Sequence, residues 1–221
     1  MTTTGELMNN GGFEDGDFTG WTTSGAGWAV GTDPSSGSAG AQAGSYCAYN
    51  NGSSSINNYI YQDVDLSAYS AYIDAETATI NVSGWYVSAE YNASPAYDLT
   101  RIQYIFLDTN HDVISTPTDT GYDNISSWTE VSLSAEPIPA NTRYIRIWAN
   151  TYETGYDSGS VDSFSVTLTY PDGGGGGTNQ WINKDDVLRE ITEIQININD
   201  AWHKINQAWI NINDVWHKLF S

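Results

Sequence analysis

The side chains best suited to proton transfer, nucleophilic attack or metal binding are three histidines, one cysteine and twenty-seven aspartates and glutamates. His111 lies in "DTNHD" between two alternating runs, and His203 and His217 occupy equivalent places in a C-terminal repeat, so none is paired by its spacing with a serine and an acid. Cys47 stands alone, which rules out an intrachain disulfide and suits a small buried hydrophobe. The carboxylates are too many to single out a glycosidase pair, and no HExxH, phosphate loop or zinc spacing is present. Asp108, Asn110 and Asp112 alternate as in a calcium loop, but the glycine and the distant glutamate such a loop needs are missing, and a hairpin turn explains them better. No enzymatic activity is expected.

Binding chemistry is better supplied. In "TRYIRIWANTY" strand parity puts Ile145 and Ile147 on one side and Tyr144, Arg146, Trp148 and Tyr152 on the other. In "RIQYIFLD" it sets Arg101 and Gln103 against Ile102, Tyr104 and Phe106. A flat ring stacks on the apolar face of a pyranose, and a guanidinium fork donates to hydroxyls. Arg101, Gln103, Tyr144, Arg146 and Trp148 are therefore the candidate glycan-binding residues. The competing reading makes Trp148 a core residue and Arg146 its solvated neighbour.

The elements that must hold these residues are strands. Residues 5–170 alternate short β-favouring runs with clusters of Gly, Asn, Asp, Ser and Pro, and show no sustained helical period. The clearest strands are "TINVSGWYVSAEY", "RIQYIFLD", "WTEVSLSAE", "TRYIRIWANTY" and "DSFSVTLTY". Strands at this spacing, without intervening helices, predict an all-β protein built on an antiparallel β-sandwich of jelly-roll type. The glycine run divides the chain into a sandwich over 1–172, a linker over 173–179 and a small module over 180–221.

Of the formal charge of −20, residues 1–172 carry twenty-one acidic groups against Arg101, Arg143 and Arg146, a net of −18. So acidic a surface repels phosphate backbones and anionic lipid, which argues against nucleic acid and membrane as partners. The opening "MTTTGELMNNGGFEDG" has neither a basic nor an apolar leader segment, so synthesis in the cytoplasm without a signal peptide is expected.

The stretch "MNNGGFEDGDFTGW" resembles the opening of galactose-binding-like jelly rolls, the fold of many carbohydrate-binding modules. "IFLDTNHDVIST", "SWTEVSLSAEPIPANTRYIRIWA" and "SVDSFSVTL" resemble their second half. In that family a structural Ca2+ often ties the opening strand to the closing one. The resemblance places it at Glu14 and Asp162, with Asp17 and backbone carbonyls completing the shell. The alternative is that Glu14 and Asp162 are solvated turn carboxylates.

Residues 180–221 contain three 14-residue units, the last two identical at eight positions. Ile191, Ile198, Ile205, Ile212 and Leu219 recur every seventh residue, as a coiled coil would require. Runs of Asn, Asp, Ile, His and Trp are mediocre helix formers, however, and β-hairpins turning at Asp185-Asp186, Asn199-Asp200 and Asn213-Asp214 are better supplied. Such hairpins pair Ile198 with Ala201, Asn197 with Trp202, Ile212 with Val215 and Asn211 with Trp216. "VLREITEIQININDAWHKI" is similar to a tandem hairpin repeat of bacteriophage tail and other structural proteins, although it carries Asp where those turns usually have Gly.

A ribbon with apolar residues on both faces needs a neighbour, which makes Ile198, Trp202, Trp209, Ile212 and Trp216 candidate interface residues. Together these features suggest a bacteriophage virion protein of the tail, a fibre or the capsid surface. It would display a glycan-binding sandwich toward host-surface sugars and be anchored to itself or to other virion proteins through its repeats. A purely structural decoration protein and the accessory module of a polysaccharide-degrading system are the alternatives.

Overall fold

The structure is a computed structural model that describes residues 1–25, 27–32, 40–50, 58–88, 98–123, 125–153 and 159–171, and the backbone of four C-terminal strands. The linker 173–179 and the first predicted hairpin, with its Asp185-Asp186 turn, lie outside the described residues.

Eleven strands form the sandwich: β1 (Thr2–Thr3), β2 (Thr22–Ser24), β3 (Trp28–Gly31), β4 (Cys47–Asn50), β5 (Asn58–Asp65), β6 (Thr79–Ser88), β7 (Asp98–Leu107), β8 (Val113–Asp119), β9 (Thr129–Pro137), β10 (Tyr144–Glu153) and β11 (Gly159–Tyr170). One sheet runs β3-β4-β11-β6-β9 with β1 also beside β11, and the other runs β2-β5-β10-β7-β8. Every pairing is antiparallel. The predicted sandwich is thus the observed one, with a 3-10 turn, Ser67–Tyr69, running into a five-residue helix, Ser70–Asp74, on the connection from β5 to β6.

Alternation drives the layering. Ile80 and Val82 of β6, Ile102, Tyr104 and Phe106 of β7, Ile145 and Ile147 of β10, and Val166 and Leu168 of β11 are all buried between the sheets. Burial of this many large side chains supplies most of the stabilisation, at roughly 25 cal/mol per Å2 of apolar surface. The buried Tyr104 hydroxyl donates to the Val131 carbonyl at 2.8 Å, so its polar end is satisfied.

The opening stretch closes one end of this core. Phe13 is fully buried with its ring centre 5.1 Å from that of Trp21, and the Trp21 Nε1 donates to the Asn10 carbonyl at 3.0 Å. The register of β11 against β6 shifts between Asp162 and Ser165, and within that bulge the Phe164 N–H donates to the Gly11 carbonyl at 2.9 Å. A Cβ on Gly11 would sit 2.2 Å from the Phe164 carbonyl oxygen, so the close approach demands glycine.

In the C-terminal module β12 (Ile194–Ile198) pairs with β13 (Ala201–Ile205), and β14 (Trp209–Ile212) with β15 (Val215–Lys218). The pairs Ile198 with Ala201, Asn197 with Trp202, Ile212 with Val215 and Asn211 with Trp216 are the expected ones. These residues are strand, so the heptad reading does not hold there.

Candidate functional site

The outer face of the five-stranded sheet carries the chemistry. On β5, Asn58, Ile60, Gln62 and Val64 point inward, leaving Tyr59, Tyr61 and Asp63 outside and half-buried. On β10, the buried Ile145, Ile147 and Ala149 leave Tyr144, Arg146 and Trp148 outside, and on β7 the same parity exposes Arg101 and Gln103. All five sequence-predicted glycan residues therefore share one face.

Register orders that face into rows. Thr22, Tyr61, Trp148, Gln103 and Asp119 lie side by side across all five strands. On one side of this row Asp63 pairs with Arg146 across β5 and β10. On the other, Tyr59 faces Asn150, which faces Arg101. The Tyr59 and Trp148 rings stack with centres 5.6 Å apart at 29°, and Tyr59 lies 6.2 Å from Tyr61.

Each guanidinium is held by a carboxylate and rests on a ring. Arg146 donates from Nε to Asp63 Oδ1 at 2.6 Å and from Nη2 to Oδ2 at 2.8 Å, and its Cζ is 4.3 Å from the Tyr61 ring centre. Arg101 donates from Nε to Asp119 Oδ1 at 2.7 Å and from Nη2 to Oδ2, and its Cζ lies 5.7 Å from the Trp148 ring and 5.4 Å from Tyr122. Gln103 adds an Nε2 donor to Asp119 Oδ2 at 2.8 Å. The Arg101 hydrogen bonds, with help from the Gly121 N–H and Gln103, hold the Asp119 carboxyl down at about 2.

Two side chains wall the face at its ends. The β7–β8 turn is a hairpin closed by Asp108, whose Oδ1 accepts from the Asn110 and Asp112 N–H groups, as expected for "DTNHD". Its His111, though, is more than an exposed turn residue. It stacks on Tyr144 at 4.2 Å and 19°, and its Nδ1 lies 2.8 Å from Asp63 Oδ2. At the other end Tyr122 donates its hydroxyl to Asn150 Oδ1. Asp63, Tyr59, Tyr61, Asp119 and Tyr122 were not singled out from sequence; burial alternates strictly along β5, but two of its inward residues, Asn58 and Gln62, are polar.

The sandwich fold is shared with solved structures of several kinds. No family model and no curated protein matches the chain. Among solved structures, the carbohydrate-binding module TmCBM61 in complex with beta-1,4-galactotriose superposes with a TM-score of 0.52 at 19% identity, over 76% of this chain and all of that one. The enzymatically active domain of tailspike protein 4 of bacteriophage CBA120 does so with a TM-score of 0.52 at 14% identity, over 74% of this chain but only 21% of that one. A Stig cyclase from Fischerella sp. TAU, bound to an indole compound, gives 0.52 at 15% identity over 77% of this chain and all of that one. Folds this widely shared do not carry one chemistry.

The carboxylates named for calcium divide two and one. Asp162 is fully buried, its Oδ2 accepting from the Gln42 and Ala43 N–H groups at 2.9 and 3.2 Å and its Oδ1 from Ser163 at 2.6 Å. Burial, reinforced by the neighbouring Glu14, pushes it up to about 6. Glu14 accepts from Ser45 and Tyr46 of the same loop. All three arginines of the domain are bound elsewhere, on Asp119, Asp74 and Asp63, so among the described residues this adjacent pair of carboxylates meets backbone N–H groups and no cationic side chain. A hard cation fits that arrangement. Asp17 stands apart, its Oδ1 accepting from Thr19 at 2.8 Å within its own turn, and among the described residues no group of three His, Cys, Asp or Glu converges.

A cavity of about 430 Å3 lies at the β7–β8 hairpin end, lined by Asp108, Thr109, Ile114, Ala140, Asn141 and Arg143. Asp108 is engaged in its own turn and Arg143 in a pair with Asp74, so its two charged groups are taken.

Proposed function

We propose that the chain is a non-enzymatic bacteriophage virion protein whose sandwich binds glycans on the outer face of the five-stranded sheet and whose C-terminal hairpins attach it to its own kind or to other virion proteins. The observation that carries the glycan reading is the row Tyr61, Trp148, Gln103 and Asp119, flanked by the Arg146 and Arg101 forks. Half-buried rings and paired hydrogen-bonding groups on one sheet face match the two surfaces of a sugar. The fold shared with a module seen holding a galactotriose supports that reading, and the fold shared with a phage tailspike, together with the tandem hairpins, supports the virion role. A Ca2+ between Glu14 and Asp162 would brace the opening loop against β11 without taking part in binding.

A second reading, a decoration protein that binds no sugar, is favoured by the Arg146 guanidinium lying over Tyr61, which covers part of the aromatic surface from within. A glycan array separates the two. Wild-type protein retained on at least one polysaccharide, with retention lost in Trp148→Ala, is the expected result; silence across the array selects the decoration role.

A further inference from the structure

We propose that this face takes a short run of a neutral glycan laid across the strands, and that Asp63 and Asp119 exclude acidic sugars by keeping Arg146 and Arg101 neutralised. The inference rests on the glycan-binding reading above and adds the ligand class to it. Its first support is charge. Both guanidinium groups of the face sit in two-point contact with an aspartate, and Asp63 also takes His111. A uronate, sulfate or sialate arriving here finds each fork already occupied by a carboxylate, on a domain whose net charge is −18 over residues 1–172. Repulsion and the loss of two existing ion pairs both oppose it.

The second support is hydrogen-bond complementarity. Nε and one Nη2 proton of Arg146 point to Asp63, which leaves three guanidinium N–H groups for other acceptors, while Asp63 Oδ1 beside them keeps an unused lone pair, its Oδ2 being shared with His111. A donor and an acceptor held side by side suit a hydroxyl, which both gives and takes a hydrogen bond. An anionic oxygen uses only the donors. Asp119 differs, because Arg101 Nε and Nη2, Gln103 Nε2 and the Gly121 N–H already fill its four acceptor sites, so it neutralises Arg101 without offering a hydroxyl a lone pair.

Dimension supplies the third. Arg146 lies opposite Ile105 on β7, four residues along the strand from Arg101. The backbone positions of the two arginines are therefore separated by ~14 Å, from four strand steps along β7 and one strand spacing across. Tyr61 and Trp148 lie between them, and the row they belong to ends in the exposed Thr22 on β2 and Asp119 on β8, both edge strands. His111 and Tyr122 wall the face along the strand direction, not along this row. The arrangement fits several linked rings crossing the sheet better than one ring in a pocket.

The test uses the full chain in affinity electrophoresis and titration calorimetry against neutral polysaccharides (galactan, xylan, glucomannan) and anionic ones (polygalacturonate, alginate). The expected result is retention by a neutral polymer that changes less than about twofold between low salt and ~0.5 M NaCl, where exposed charges are screened. Polyuronates should be retained at least about tenfold more weakly, and affinity should climb from mono- to trisaccharide. Asp63→Asn and Asp119→Asn should weaken neutral binding and strengthen polyuronate binding; melting curves check their fold, and the wild-type salt dependence decides the matter if they unfold. Tighter, salt-sensitive binding of polyuronate overturns the inference while leaving the glycan reading intact, as does affinity already complete with a monosaccharide. Retention by no polymer of either class removes both.

Discussion

Arg146 places its guanidinium carbon 4.3 Å from the ring centre of Tyr61 while gripping both oxygens of Asp63. One side chain thereby fixes the tilt of an aromatic ring and the position of a carboxylate. Its worth to folding is small: a partly exposed ion pair contributes about 0–1 kcal/mol and a cation–π contact about 0.5–1. Arg146→Ala should lower the unfolding free energy by only about 1 kcal/mol in urea, yet abolish retention on the polysaccharide that wild type binds. Arg146→Lys keeps the charge but not the planar fork, so it should resemble Ala in retention and wild type in stability. A lysine variant that binds normally would reduce Arg146 to a charge.

Much of this face was legible because β10 obeys a clean rule: Ile145, Ile147 and Ala149 are apolar and inward, so Arg146 and Trp148 had to be outward. β5 obeys the same geometry but hides it. Its inward positions include Asn58 and Gln62, and Gln62 is buried because it exchanges hydrogen bonds with the Asn9 backbone, so apolar alternation fails just where the opening loop docks. Tyr59, Tyr61 and Asp63 were missed for that reason. Asp119 was invisible for another: β8 pairs with β7 through two register shifts, and no spacing rule carries a residue across them. His111 reaches Asp63 across the sheet, a contact forty-eight residues apart in sequence that only the packed face creates.

Acid should dismantle the Arg101 fork in a defined window. The carboxyl of Asp119 titrates near 3.8 when unfolded and at about 2 when folded, because Arg101 hydrogen-bonds its ionised form. The unfolded chain therefore takes up the proton first as pH falls. The stabilisation is complete above about pH 4, declines between 3.8 and 2, and is absent below. Asp119→Asn should lose stability relative to wild type at neutral pH and converge with it near pH 2. Urea melts of both proteins across that range check this, and a constant difference down to pH 2 would show that Arg101 owes nothing to the ionised carboxylate.

The loop that meets Glu14 offers a separate test. Gly44 has φ +67°, and a Cβ there would stand 2.4 Å from Glu14 Oε1. Gly44→Ala should cost about 1–2 kcal/mol from the left-handed backbone alone, and more from displacing Glu14 off the Ser45 and Tyr46 N–H groups. Gly5→Ala, whose added Cβ meets nothing within 4 Å, is the control. If Ca2+ sits between Glu14 and Asp162, chelator should lower the wild-type melting temperature and calcium restore it. Asp162→Asn and Gly44→Ala should both be insensitive to the metal. A wild-type melt unmoved by chelator or added calcium excludes the ion and leaves the Gln42, Ala43, Ser45, Tyr46 and Ser163 N–H groups to compensate the two carboxylates.

The C-terminal strands pose the last question, which is what keeps them folded. Each hairpin is a two-stranded ribbon, with Ile194, Ile196 and Ile198 sharing one parity with Ala201 and Ile205 in the first, and Ile210 and Ile212 with Val215 in the second. A lone two-stranded hairpin is marginal in water, and isolated apolar faces seek partners. Ending the chain after Pro171 should leave the melting temperature of the sandwich unchanged, since the core formed by the described residues runs from Met8 to Leu168. The same truncation should convert a sedimenting oligomer into a monomer. In the full chain, Ile198→Lys with Ile212→Lys should disperse the oligomer equally, because a charge on that face opposes burial against any companion surface. Sedimentation velocity at several concentrations reads all three proteins. A full-length chain that runs as a monomer throughout would mean that the repeats satisfy themselves, and the attachment role would fall with it.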